Sequence, residues 1–301
     1  MANIKKNPQE PGSTVQGLSA SRKVYNVGLR ALIYIAAGLV VALLVFLLGY
    51  ILYRGLPNLS WQFLTAEESV LKDIQGIGPA ILNTLYVILA TLIVVLPLGV
   101  GSAIYLTEYA TNRRLVAAIE FATETLAGIP SIIYALVGVL VFAESLRLGK
   151  TLIAGAFTLV IMVLPTVIRT TQESLKTVPQ SYREGSLGLG SGKWHMIRTV
   201  VLPSSIDGIV TGCILAIGRI VGESAVLLYT VGMSMQMQDF FRNGLESFFS
   251  ASGSTLSVAL YVYAKVRADF DLAFSVAVVL IVITLVINLA ASLAGKKLKK
   301  S

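Results

Sequence analysis

Charge is the first thing this chain has little of. Only 13% of its 301 residues are Asp, Glu, Lys or Arg, against roughly 25% in a soluble domain. That deficit excludes a soluble globular fold, and 55% hydrophobic residues exclude an intrinsically disordered one. Cysteine is nearly absent. Cys213 stands alone in an apolar run, so neither an intrachain disulfide framework nor a cysteine-built zinc cluster is available. With one histidine, His195, there is also little from which to build a Ser/His or metal-ligand catalytic set.

Long apolar runs are what the chain has instead, with a mean hydropathy of +0.78. About 20 mostly apolar residues cross a bilayer as a helix. Runs of that kind occupy residues 31–52, 81–106, 121–143, 152–168, 206–231 and 272–294, the fourth being the shortest. They predict an all-α integral membrane protein with six transmembrane helices. The first run is longer than the core of a signal peptide and no A-x-A site follows it, so it is read as an uncleaved helix.

The basic residues set the orientation. With the N-terminus in the cytoplasm, one side collects sixteen Lys and Arg, among them Arg30, Arg113, Arg169, Lys193 and Lys296, and the other side seven. Both termini are therefore expected inside. The net charge of +8 is mostly topology and gives no support to a nucleic-acid partner. The expected organisation is a cytoplasmic tail at 1–30, a first helix at 31–52, a core of five spans at 75–295 and a basic tail at 296–301. Residues 53–78 and 232–270 are outer connections, and 170–204 is the one long cytoplasmic connection. No internal repeat of the kind found in inverted-repeat carriers is visible.

That cytoplasmic connection carries the most specific pattern. Pro179 and Ser181 can open a short helix, and Gly190 or Gly192 can close it. A second short helix from about Gly192 to Val201 is expected to stop at Pro203. Leu187, Leu189, Trp194, Ile197 and Val201 are left to face the bundle or a docked partner. The run Gly188-Leu-Gly190-Ser-Gly192-Lys193 imitates a phosphate-binding loop, but Leu187 replaces its first glycine and Trp194 its Ser or Thr. No nucleotide site is expected in this chain.

Glu184-Gly185-Ser186, then Gly190, then Val200-x-Leu202-Pro203 resembles the Glu-Ala-Ala coupling loop of ABC-importer permeases, with its spacing intact. Further stretches resemble the phosphate permeases of bacterial high-affinity uptake systems: Gly76–Thr84, Leu96–Gly99, Ala103–Tyr109, Leu126–Tyr134 and Gly218–Ala225. Length, six spans and the stretch Ala259–Lys265 favour the PstA-type over the PstC-type subunit. The resemblance implies a type I ABC-importer permease fold with a cytoplasmic coupling helix in the bacterial inner membrane, amid its lipids. It implies ATPase contact through Glu184, Gly185, Ser186, Gly190, Leu202 and Pro203. The implied partners are a PstC-type permease, two PstB-type ATPase subunits that bind ATP and Mg, and an external PstS-type binding protein delivering phosphate. No cofactor is expected in the chain itself, which is not expected to be an enzyme.

Two intramembrane charges bear on the same question. Arg219 lies about 13 residues, or about 20 Å, into the fifth run. Glu223 follows at i+4, so on a continuous helix the two would share a face. Charges at that depth face protein or a water-filled path. The pair is either a structural tie or part of an anion pathway, and the resemblance favours the pathway. In that role Arg219 binds the oxyanion, and Glu223 accepts from the O–H of hydrogen phosphate, a donor sulfate lacks. Arg169, with Glu173 at i+4, is either an exit-side contact or a positive-inside anchor. Glu120 and Glu124 read as helix-capping acids, and Met233, Met235 and Met237 as adaptable packing. The alternatives are the PstC-type partner permease or a permease for molybdate or sulfate, and after these a stand-alone channel or secondary carrier.

Overall fold

A computed structural model describes residues 20–68, 74–235 and 250–300. The tail up to residue 19, Lys72, Met237, Arg242 and Ser301 lie outside the described residues. The chain divides into two units, Met1–Tyr50 and Ile51–Ser301. The first consists, in its described part, of most of helix α1 (Ala20–Gly55), whose side chains from Tyr25 to Tyr50 are all exposed. A helix apolar on every face is stable only where lipid or protein surrounds it.

In the second unit each helix begins and ends on a local signal. A 3₁₀ turn (Leu56–Asn58) leads to α2 (Trp61–Thr65), which Ser60 caps by accepting from Phe63 N at 3.0 Å. α3 (Gly78–Ile104) opens on Pro79, where the missing N–H has no partner to lose. It runs into a π-helical turn, Tyr105–Tyr109. Asn112 caps α4 (Arg113–Ala127), and Thr151 caps α6 (Leu152–Thr177). Between them lies α5 (Ser131–Gly138), continued by a π-turn at Val139–Ser145. Then follow α7 (Gln180–Gly188), α8 (Lys193–Met196), a π-turn (Ile197–Val201), α9 (Leu202–Gly222) and α10 (Ala225–Thr230). α11 (Leu256–Tyr261), extended by a π-turn at Val262–Val266, and α12 (Phe270–Lys300) complete the described elements.

Among the described residues five helices are long and apolar enough to cross a membrane, and the third expected span exists only as a bent pair: α4 and the α5 segment meet at 98°. The span expected at 121–143 is thus bent. Gly128-Ile129-Pro130 breaks it, because Pro130 has no N–H to donate and its ring disfavours a helical Ile129. The fourth run, shortest in sequence, forms the most buried helix. α6 packs against α3 on one side and α9 on the other, with Leu152, Leu159, Met162 and Val163 fully buried. α6 and α9 approach closely where Gly208 and Gly212 face Ser174 and Thr170; a Cβ at either glycine would fall 2.3 Å from the opposing hydroxyl. Small residues one turn apart are the usual means of close packing between membrane helices. Several buried hydroxyls are satisfied locally, as when Thr158 donates to Ala154 O at 2.8 Å and Thr230 to Val226 O at 2.7 Å.

Pro203 does not end a helix as expected. The backbone runs helically from Lys193 to Gly222. The π-turn absorbs the change of register, and Pro203 falls in the first turn of α9, where no N–H is required.

Candidate translocation path and coupling segment

Arg219 sits in the last turn of α9 and is half-buried. Among the described residues it makes no hydrogen bond or ion pair, though the Tyr134 hydroxyl lies within its electrostatic reach. The expected i+4 pairing with Glu223 does not form. α9 stops at Gly222 because Glu223 takes an extended conformation (φ −80°, ψ 114°). Its carboxylate Oε1 instead accepts from Val226 N at 3.1 Å and caps α10, while its carbonyl accepts from Ser257 Oγ at 2.8 Å. The fifth run is therefore two helices with a polar joint, and Arg219 stands at that joint with its guanidinium unspent.

The joint is held by hydroxyls. Thr84 Oγ1 accepts from Leu256 N at 2.9 Å, and Asn83 Nδ2 donates to Ser254 O at 3.0 Å. The start of α11 is thereby tied to α3 beside the Glu223 carbonyl. Across the bend at Gly128–Pro130, Tyr134 donates from its hydroxyl to Leu126 O at 2.7 Å, a carbonyl that also accepts from Ile129 N at 3.1 Å.

Arg169 faces a cavity of about 570 Å³ between α4 and α6. It is exposed there and pairs with Glu173 at 3.0 Å and with Glu124, across the cavity, at 3.4 Å. Glu120 accepts from Lys176 at 3.1 Å and Gln172 at 3.2 Å. Glu120 and Glu124, expected to cap the start of a helix, lie in the middle and in the last turn of α4 and line the cavity. α6 extends past residue 168 because its polar last turns face this space.

The Glu184–Pro203 segment forms a helix–turn–helix at the α7–α8 end of the bundle. Gly190 turns the chain with φ +84°, which only glycine adopts without strain. Ser191 Oγ donates to Ser186 O at 2.7 Å and locks the turn. The apolar residues divide cleanly. Ile197 and Val201 are fully buried with Met196, Leu175 and Ile104, whereas Leu187, Leu189 and Trp194 are exposed, Leu189 at 91%. Glu184 and Gly185 share the exposed side, and a Cβ on Gly185 would meet nothing within 4 Å, so the alanine of the common pattern would fit. Leu202 and Pro203 start α9.

Two further charged contacts tie the ends of the bundle. Arg183 of α7 donates to Glu108 at 2.9 Å and to the carbonyls of Val178 and Leu175 at 2.6 and 2.8 Å. At the other end of the bundle Arg267 pairs with Glu68 and lies 5.0 Å from the Tyr263 ring centre; the hydrogen bond to Glu68 tightens the guanidinium's hold on its proton. Neither pair leaves a local signal, since each joins residues far apart in sequence. Among the described residues no group of three or more His, Cys, Asp or Glu could hold a metal ion.

Residues 95–300 match the family described as binding-protein-dependent transport system inner membrane component. The chain is 36% identical over 220 residues to the probable ABC transporter permease protein YqgI of Bacillus subtilis, covering 73% of this chain and 75% of that protein. It is 34% identical to the phosphate transport system permease protein PstA 1 of Mycobacterium tuberculosis, over 68% of each chain. The fold matches a chain from the crystal structure of a bacterial ABC transporter that imports the acidic polysaccharide alginate (TM-score 0.61, 16% identity, 92% of this chain and 99% of that one). The architecture is that of a multi-span ABC-importer permease subunit. The chain belongs to the family of binding-protein-dependent transport system inner membrane components.

Proposed function

We propose that this chain is the PstA-type permease of an ATP-driven phosphate importer, forming half of the translocation path. The observation that carries the reading is Arg219, half-buried and without a partner among the described residues, at a polar break in a membrane span. An intramembrane cation left unpaired by its own chain is there for a ligand or a partner subunit. A guanidinium suits a tetrahedral oxyanion, since its planar fork forms paired hydrogen bonds and keeps its charge. Similarity to PstA 1 of Mycobacterium tuberculosis and PstA of Haemophilus influenzae supports phosphate as the cargo. Glu223 contributes through Oε2, which no described residue occupies: hydrogen phosphate can donate its proton there, and sulfate cannot.

Partner ATPase subunits dock on the exposed face of α7–α8, around Glu184, Gly185, Leu189 and Trp194, and bind ATP and Mg themselves. The excess of basic residues, sixteen against seven, supports a cytoplasmic position for this end and both termini. A PstC-type permease completes the pore, and a PstS-type protein delivers phosphate from outside. Closure of the ATPase dimer moves α7–α8, and Arg183 and the buried Met196–Val201 face pass that motion into α3, α6 and α9. Phosphate then passes Arg219 and leaves past Arg169. The deciding experiment is labelled-phosphate uptake by the complete complex in proteoliposomes, wild type against Arg219→Ala, with ATPase activity in parallel. Uptake should collapse while assembly and ATP hydrolysis persist; surviving uptake would reduce Arg219 to a packing residue.

A further inference from the structure

The cavity that would receive phosphate after Arg219 has the wrong sign for holding it. Three carboxylates, Glu120, Glu124 and Glu173, face two cations, Arg169 and Lys176. Both cations are already engaged: Arg169 by two carboxylates at 3.0 and 3.4 Å, Lys176 by Glu120 at 3.1 Å. Two of these ion pairs cross the cavity from α4 to α6. All five side chains are substantially exposed, and exposed pairs of this kind are individually weak and exchange partners readily. They are poor struts for holding two helices together, and a purely structural tie would not require the third carboxylate.

Resting on the phosphate reading above, we propose that Glu120 and Glu124 keep phosphate from accumulating in this exit. They occupy Arg169 and Lys176 and leave an excess negative charge, so that phosphate from the ATPase side is excluded from the path. A cleft lined by one sign of charge lowers the local concentration of ions of that sign. An anion released inward from Arg219 meets cations it can engage only briefly, because Glu124 and Glu120 compete for them. The cavity therefore neither retains phosphate leaving Arg219 nor concentrates it from the ATPase side, and ATP-driven motion supplies the direction. Glu120 and Glu124 are positioning residues: they act on the ion through Arg169 and Lys176.

The test uses the whole complex in proteoliposomes loaded with ATP and graded concentrations of inorganic phosphate, with uptake of labelled phosphate read from outside. In Glu120→Gln/Glu124→Gln the freed cations should let internal phosphate inhibit uptake at concentrations roughly tenfold lower than in wild type. Glu120→Asp/Glu124→Asp, which keeps the charge, should return the dependence toward that of wild type. An internal-phosphate curve for the glutamine variant that superimposes on wild type overturns the proposal while leaving the phosphate path intact. Absence of labelled-phosphate uptake by wild type overturns both. If the double variant does not assemble, Glu124→Gln alone and Glu173→Gln, each removing one carboxylate from Arg169, are read by the same shift.

Discussion

Arg183 and Glu108 form an ion pair at 2.9 Å with side chains only 11% and 7% exposed, 75 positions apart in sequence. Glu108 lies in the π-turn that ends α3, and Arg183 lies in the first half of α7. The same guanidinium closes two carbonyls at the end of α6. One side chain thus joins the proposed coupling helix to two membrane spans. Removing one partner of a buried pair strands the other, which costs about 3–5 kcal/mol. Glu108→Ala should therefore lower the melting temperature of the purified complex and reduce phosphate uptake per ATP hydrolysed. Glu108→Gln with Arg183→Met should regain much of the thermal stability while uptake per ATP stays low. Recovery of both together would show the pair to be structural only.

Glu223 separates two roles that can be measured independently. Its Oε1 caps α10, and the amide oxygen of glutamine can accept the same hydrogen bond from Val226 N. Glu223→Gln should leave thermal stability near wild type, whereas Glu223→Ala should lose about 1 kcal/mol as a helix cap is removed. In uptake assays both variants should move less phosphate and discriminate less against sulfate. Unchanged uptake and selectivity in Glu223→Gln would confine this residue to capping.

The spans were legible because apolar length is a strong, local signal, and the coupling pattern because its spacing is fixed. What the sequence concealed were interruptions and distant pairs. The i+4 spacing of Arg219 and Glu223 predicts a shared face only if the helix continues, and Gly222 followed by an extended Glu223 ends it. The fourth run looked short because Arg169, Gln172 and Glu173 dilute its hydropathy, yet those residues face the cavity on the most buried helix of the bundle. Pro203 carried the usual stop signal, which a preceding π-turn cancels. Gly128-Ile129-Pro130 was visible, but a bilayer-embedded helix tolerates such residues, so composition alone does not distinguish a straight span from one bent by 98°.

The two glycines of the coupling segment should respond oppositely to alanine. Gly185 lies inside α7 with open space at its Cβ, so Gly185→Ala should stabilise the helix by about 0.5–1 kcal/mol. Gly190 holds φ +84°, and Gly190→Ala should cost about 1 kcal/mol in strain. If α7–α8 is the ATPase docking site, co-purification of the ATPase with the permease should persist in Gly185→Ala and weaken in Gly190→Ala. Equal retention in both would argue that the turn is not read by the partner.

Tyr134 gives the bent span a single point of control. Its ring is buried and its hydroxyl donates to Leu126 O across the break, so the bend is fixed by one hydrogen bond as well as by Pro130. Tyr134→Phe keeps the ring and removes this hydrogen bond while Leu126 O retains Ile129 N, a loss of about 0.5–1.5 kcal/mol. Arg219 lies close enough to this hydroxyl to feel its charge distribution, so the same substitution alters the surroundings of the proposed phosphate contact. The expected result is a lower melting temperature together with slower phosphate uptake. Added external phosphate should not restore the rate if the bend controls passage, and should restore it if only the affinity at Arg219 has fallen.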